Sequence, residues 1–198
     1  MGIVTLVSGG YDSTLMSLMA QEVGVELFPL FIDYGQLGAA KEWEACERLH
    51  EQYGLPSVTR MDVSGFGKTI PSGITDSRLR INDDAFLPGR NLLLVLAGAA
   101  HAFNVHADGV AIGLLDPSQH LFPDQTREFV ETCEAAIKVA MGRSIRVLVP
   151  LIELSKSDVL AMAQARGLKD TYSCHAGIDE PCGVCVACAE IKNARKGG

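Results

Sequence analysis

Ile3-Val4-Thr5-Leu6-Val7-Ser8-Gly9-Gly10-Tyr11-Asp12-Ser13 runs an apolar stretch into a glycine pair set between hydroxyls. Ile3–Val7 reads as a buried strand, and the residues after the pair, Thr14–Val23, read as an amphipathic helix. Gly9 and Gly10 carry no Cβ to hold an anion away from backbone N–H groups. The first turn of the helix adds unpaired donors and a partial positive charge. A turn capped by Ser8 or Asp12 would need no ligand. The strand–loop–helix setting favours a phosphate over that plainer reading, and the expected ligand is a nucleoside triphosphate.

Working outward, apolar runs alternate with helical patterns. Strands are expected over Ile3–Val7, Val25–Ile32, Val58–Val63, Gly109–Ile112 and Ile145–Leu148. Helices are expected over Thr14–Val23, Ala39–Tyr53, Asn91–His106, Arg127–Met141 and Lys156–Ala165. Runs that are apolar throughout and separated by helices predict an α/β fold, a parallel sheet with helices on both faces. Ligands bind such sheets at the carboxyl ends of the strands. Ser8–Ser13 lies at one such end, and Asp33-Tyr34-Gly35-Gln36 at another. Cys46 and Cys133 fall on the apolar faces of their helices and read as small core residues. Ser155 and Asp158 have capping-box spacing. Ser64–Ala85 shows no period, and roughly twenty such residues are either a lid or a surface excursion.

The chain has 198 residues, 47% hydrophobic and 21% charged, which suits one domain with a small appendage. A net charge of −7 argues against bulk attraction to nucleic acid, so local donors must hold any anion. No basic leader precedes the first strand, and the most apolar stretch, Leu92–Phe103, is too short to span a bilayer. Of six cysteines, four cluster near the C-terminus with metal-ligand spacing and two stand alone, which points to a reducing cytoplasm.

Two other nucleotide motifs are excluded. Gly67-Lys68-Thr69 could end a Walker loop, but its first glycine would be Asp62, whose carboxylate would oppose a phosphate. The dinucleotide fingerprint after the first strand is absent as well. In Ser8–Ser13, Ser8 and Ser13 offer hydroxyl donors, and Asp12 orients the loop or helps hold Mg²⁺. Phe86-Leu87-Pro88-Gly89-Arg90-Asn91 opens a helix, with Pro88 and Gly89 shaping the turn. An arginine in a first helical turn opposes the helix dipole, which is explained if Arg90 faces an anion. Cys174, Cys182, Cys185 and Cys188 follow the pattern Cys-x₇-Cys-x₂-Cys-x₂-Cys. Four thiolates close a tetrahedral shell, so a structural Zn²⁺ is expected ahead of an iron–sulfur cluster or a disulfide pair. His175 adjoins Cys174 and reads as a bystander.

Ser8-Gly9-Gly10-Tyr11-Asp12-Ser13 resembles the pyrophosphate loop of N-type ATP pyrophosphatases, adenine nucleotide α-hydrolase-like proteins with a Rossmann-like sheet. Further motifs extend the likeness: Asp33–Gln36, Phe86–Asn91, Pro123-Asp124, Pro150-Leu151 with Leu154-Ser155-Lys156, and the four cysteines. Together they resemble the 7-cyano-7-deazaguanine synthase family of the queuosine pathway over most of the chain. The resemblance implies an ATP-dependent ligase acting on 7-carboxy-7-deazaguanine: ATP activates the carboxylate, ammonia gives an amide, and a second activation dehydrates it to the nitrile. It places ATP on Ser8, Gly9, Gly10, Tyr11, Asp12, Ser13, Thr14, Leu15, Met16, Ser17 and Leu18. Asp33 and Gly89 are further candidates for nucleotide contact, and zinc falls to the four cysteines. Asp12, Ser13, Arg90 and Lys156 are the candidate catalytic residues; Lys156 either neutralises phosphate charge or is a solvated lysine at a helix start. Residues 1–166 would form the ATP-pyrophosphatase body and 167–198 a zinc-binding segment packed on it. Partners would be ATP with Mg²⁺, a deazapurine carboxylate and ammonia, with no nucleic acid or membrane. A homodimer through a sheet edge or the helix around Trp43 is compatible with it.

The departures from the family pattern fall in one place. Leu114–Thr126 keeps Pro123-Asp124 in register but has lost most of the polar signature before it, and Gln125-Thr126 stands where the family has Cys-Arg. An arginine there is a natural carboxylate clamp. One alternative is therefore a divergent member that passes an activated deazapurine, or another carboxylate, to a different amine such as that of a protein. Another is a nucleotide-binding partner protein without catalysis. His120 reads as a loop histidine, and Gly197-Gly198 as a frayed end.

Overall fold

The first strand, β1 (Gly2–Val7), is buried along its length. Its side chains alternate between two cores, as a strand's must. Val4 and Leu6 join a core with Val95, Ala99, Val110, Cys133 and Ile137. Ile3 joins another with Leu15, Met16, Leu151 and Val159, and Val7 packs with Phe31 and Cys46 on that same side. A strand apolar on both faces needs cover on both, and the computed structural model, which describes residues 1–116 and 122–196, provides it.

The order along the chain is β1, α1 (Tyr11–Glu22), β2 (Glu26–Asp33), α2 (Ala39–Gln52), β3 (Thr59–Asp62), α3 (Gly65–Thr69), α4 (Arg90–Asn104), β4 (Gly109–Ala111), α5 (Arg127–Met141), β5 (Arg146–Leu148), α6 (Lys156–Ala165) and α7 (Val186–Ala194). The sheet runs β3-β2-β1-β4-β5 with every pair parallel, Val4 opposite Phe28 on one side and Val110 on the other. α4 and α5 cover one face, and α1, α2 and α6 the other. This is the expected Rossmann-like arrangement. Strand order reverses between β1 and β4, so a crevice opens beyond their carboxyl ends.

Several local expectations change. α1 begins at Tyr11, so Asp12 and Ser13 lie in its first turn rather than in a loop. Its first half is not amphipathic: Ser13 through Leu18 are all buried, because α1 lies between the sheet and α6. The buried Ser17 hydroxyl is satisfied by donating to the Ser13 carbonyl at 3.1 Å. Ser64–Ala85 contains α3, and its Ile74 and Ala85 join Leu87 in a satellite core against Tyr34, Phe66 and Phe122. It is an excursion with its own interior. α7 has no counterpart among the expected helices. Cys46 and Cys133 are buried as anticipated, and Ser155 and Asp158 form the capping box. His120 and Gly197-Gly198 lie outside the described residues. Among the described residues, no helix is long and apolar enough to cross a membrane.

Residues beyond α6 return to the start of the chain. The Tyr172 N–H donates to the Gly9 carbonyl at 2.8 Å, Arg48 to the Asp170 carbonyl at 2.6 Å, and the Tyr53 hydroxyl to the Gly167 carbonyl at 2.8 Å. This strap lays the cysteine-bearing segment across α2 and the β1 loop.

Candidate functional site

A cavity of about 280 Å³ opens at the switch point. The β1 loop contributes Ser8 and Gly10, and α1 contributes Asp12 and Ser13. Tyr34 and Gln36 come from the turn after β2, Glu42 from α2, Arg90 and Asn91 from the start of α4, and Lys156 from the start of α6. Tyr172, Ser173 and His175 form part of the wall, and Val186, Ala187 and Glu190 of α7 complete it.

The loop is shaped by its own hydroxyls. Ser13 Oγ accepts from the Ser8 N–H at 3.1 Å and lies 3.2 Å from Ser8 Oγ. Gly10 caps α1 without a side chain, so the first-turn N–H groups meet no capping group there. Gly9 holds φ +71°, and a Cβ there would sit 2.7 Å from the Ala45 Cβ, so α2 closes against the loop only because that position is glycine.

Lys156 is not the solvated lysine that the sequence left open. It is buried, and its Nζ lies 2.7 and 2.8 Å from the two oxygens of Asp12, 144 positions away. The clasp fixes Asp12 in the first turn of α1 and brings an ammonium to the loop. Gly113, just past β4, packs its α-carbon face on Asp12, where a Cβ would be 3.4 Å from the Asp12 Cβ. A smaller chamber of about 130 Å³ is bounded by Asp12, Lys156, Gly113 and Glu190.

Arg90 follows Gly89, which caps α4 at φ +76°. Its Nε donates to Asn91 Oδ1 at 3.2 Å, and Asn91 Nδ2 donates to the Asp124 carbonyl at 3.0 Å. That ties the start of α4 to the 3₁₀ turn over Pro123–Gln125. Two residues of the segment leading into α5 have structural duties. Gln125 Oε1 accepts from the Phe122 N–H, and Thr126 caps α5 by accepting from the Phe129 N–H.

Enclosure shifts several ionisable groups. Burial raises Glu42 to about 7, against the pull of the Gln36 amide and Arg90. Burial likewise raises Tyr34 to about 12 and moves Glu190 upward. Burial, with Arg90 and Lys156 nearby, lowers His175 to about 4, so its ring is neutral at pH 7. Its buried Nδ1 has no hydrogen-bond partner among the described residues.

The nucleotide candidates divide. Ser8, Gly10, Asp12, Ser13, Arg90 and Lys156 meet at the cavity. Gly9 shapes the loop from behind. Tyr11 packs on the apolar side of α1, and Leu15, Met16 and Leu18 are core residues, with Thr14 and Ser17 also buried. Asp33 is bound by Arg60 at 2.8 Å and by the Gly35 N–H at 3.1 Å, and Gly89 is a helix cap. Glu42 and Glu190 are cavity residues that no sequence pattern marks as such, His175 reads in sequence as a bystander, and Gln36 belongs to the turn expected at the carboxyl end of β2. Glu42 stands half-buried in the first turn of α2, and the turn after β2 brings Gln36 against it.

Cys174, Cys182, Cys185 and Cys188 place their sulfurs within 4.8 Å of one another. A tetrahedral ion with bonds of about 2.3 Å sets sulfurs about 3.8 Å apart, so the group fits a single metal ion. Backbone N–H groups of Cys182 and Cys185 donate to the sulfurs of Cys174 and Cys182 at 3.3 and 3.4 Å, which favours thiolates.

Residues 2–197 match the family model for queuosine biosynthesis protein QueC. The chain belongs to the QueC family. Among the family's curated members, the 7-cyano-7-deazaguanine synthase of Campylobacter curvus is 32% identical, over 93% of this chain and 88% of its own length. That of Methanothermobacter thermautotrophicus is 29% identical, over 98% and 94%. Two solved structures share the fold of this QueC family member. The U34-tRNA thiolase NcsA from Methanococcus maripaludis, determined with its 4Fe-4S cluster, aligns with a TM-score of 0.56 at 13% identity, over all of this chain and 65% of that one. A predicted tRNA methyltransferase subunit from Methanocaldococcus jannaschii aligns at 0.51 with 16% identity, over 83% and 74%. At such identities the likeness concerns the fold alone.

Proposed function

We propose that this chain is an ATP-dependent carbon–nitrogen ligase. It adenylates the carboxylate of 7-carboxy-7-deazaguanine and, with ammonia, converts it through the amide to 7-cyano-7-deazaguanine. The observation that carries this reading is the Lys156–Asp12 clasp, which delivers a cation to a glycine loop at the switch point of the sheet. The loop N–H groups, the Ser8 and Ser13 hydroxyls and Lys156 would hold the β and γ phosphates. Arg90, on the opposite wall, would steady the charge that develops at the α-phosphate. A carboxylate has no good leaving group until AMP is attached, so positioning and charge neutralisation suffice. Mg²⁺ binds substrate phosphates with one or two carboxylates, and Asp12 or Glu190 would supply one.

The four cysteines would hold a structural Zn²⁺. Zinc is preferred to a cubane cluster because a cubane spreads its thiolates over separate irons, further apart than sulfurs gathered around one ion. Residues 1–166 would be the catalytic body and 167–198 the zinc segment, working in the cytoplasm.

Mass spectrometry of the products after incubation with ATP, Mg²⁺, ammonia and 7-carboxy-7-deazaguanine tests the proposal. Nitrile with AMP and pyrophosphate is expected. ATP consumption without nitrile would support a second reading, a changed acceptor. That reading is favoured by Gln125 and Thr126, which are engaged in capping where the family carries a clamp. No pyrophosphate with any acceptor would leave a nucleotide-binding partner protein.

A further inference from the structure

Glu42 lines the cavity but has no part in the phosphate chemistry. It projects from the first turn of α2, and its Oε2 accepts from Gln36 Nε2 at 2.9 Å. Gln36 is itself fixed, accepting from the Tyr34 N–H at 2.9 Å and donating to the Ile32 carbonyl at 3.4 Å. Room for the other oxygen comes from Gly38, where a Cβ would press on Oε1 at 3.0 Å. Arg90 acts on Glu42 across space while its Nε donates to Asn91 Oδ1. Asp33 from β2, Tyr172 from the strap and Cys46 on the same helix are the other ionisable groups around it, with His175 in the same cavity wall.

Adenylation, if it occurs as proposed above, creates a need for such a group, and the role given to Glu42 rests on that reading. The nitrogen donor is a protonated amine at neutral pH and carries no lone pair with which to attack. We infer that Glu42 forms the subsite for that donor, an ammonium ion, and takes one of its protons. The freed lone pair attacks the acyl carbon, and the new C–N bond forms as the C–O bond to AMP breaks. AMP leaves with the electron pair, and its phosphate carries off a second proton, so that a neutral amide remains. A half-buried carboxylate on the cavity wall, with one oxygen held by an amide and the other given space, suits both duties. It attracts the cation while ionised and accepts a proton without leaving a charge unpaired.

The test uses Glu42→Gln, which keeps the shape and can still bond Gln36. Carboxylate-dependent ATP–pyrophosphate exchange without ammonium is the reference reaction. If the wild type shows no exchange, the adenylation reading falls, and this inference with it. If exchange is present, the variant should keep it within about threefold, while its KM for ammonium rises about tenfold and its kcat for amide formation falls about 100-fold. The loss should diminish as pH is raised toward the range where ammonium ionises in water, since free ammonia no longer needs the carboxylate. A merely structural residue would show no such rescue. Amide formation unchanged at pH 7, exchange lost together with amide, or no recovery at high pH each overturns the inference while leaving the adenylation reading in place.

Discussion

Lys156→Met removes the ammonium that holds Asp12 and keeps much of the side chain's length. In the native structure both carboxylate oxygens lie within 2.8 Å of Nζ, with side-chain exposures of 11% for Lys156 and 29% for Asp12. Breaking a fully buried pair costs about 3–5 kcal/mol, and an exposed pair is worth less than about 1 kcal/mol. Asp12 keeps partial access to water, so about 2 kcal/mol is expected here. In a chain of this size that lowers Tm by about 4–8 °C. Adding Asp12→Asn removes the stranded charge and should restore about half of the loss. Thermal melting of the wild type, both single variants and the double variant reads the whole cycle. On the proposed function the cation also neutralises phosphate charge, so pyrophosphate release should fall about 100-fold or more in Lys156→Met. A variant that melts within about 1 °C of the wild type would refute the clasp as a structural element.

Three further outcomes are expected. Metal removal by a chelator, or Cys182→Ser, should release residues 167–196 before the sheet melts, seen as loss of amide protection in α7 and the strap ahead of β1; simultaneous loss across both would contradict it. Thr5 is fully buried in β1 with a hydroxyl that lacks a partner among the described residues, so Thr5→Val should stabilise by about 1 kcal/mol in a denaturant titration. Burial moves Glu42 from 4.5 to about 7, so the folded chain holds that proton more tightly than the unfolded chain. The stabilisation it gives is complete below pH 4.5 and is lost as pH rises through about 7. Glu42→Gln should therefore gain on the wild type in denaturant midpoint between those limits, and a difference independent of pH would rule the shift out.

Where function depends on local chemistry, the chain announces it. A strand, two glycines and a helix start sit within a dozen positions, and so do three of the four cysteines. The sheet is legible because its central strand, β1, is apolar on both faces and β2 and β4 beside it are nearly so. Partners that meet across the fold are not. Nothing near Lys156 in sequence says that Asp12 will be its counter-ion, and the capping box beside it explains the local pattern without one. Thr14–Val23 reads as an amphipathic helix, whereas Thr14 and Ser17 are buried with the apolar residues and the Ser17 hydroxyl is satisfied inside the protein by a backbone carbonyl. α7 is hidden by the cysteine spacing, although Val-Ala-Cys-Ala-Glu is good helix-forming sequence. Ser64–Ala85 has no period because Ile74, Ala85 and Leu87 reach their small core from turns rather than from one regular element.

The return of residues 167–196 to the β1 loop builds one cavity from segments far apart along the sequence. The glycine turn belongs to β1 and α1, whereas Tyr172, Ser173, His175 and Glu190 on another wall all follow α6. The five strands are complete by Leu148, so the sheet does not need that wall in order to form. Whatever loosens the cysteine-bearing segment therefore unroofs the cavity while the scaffold beneath it stays intact.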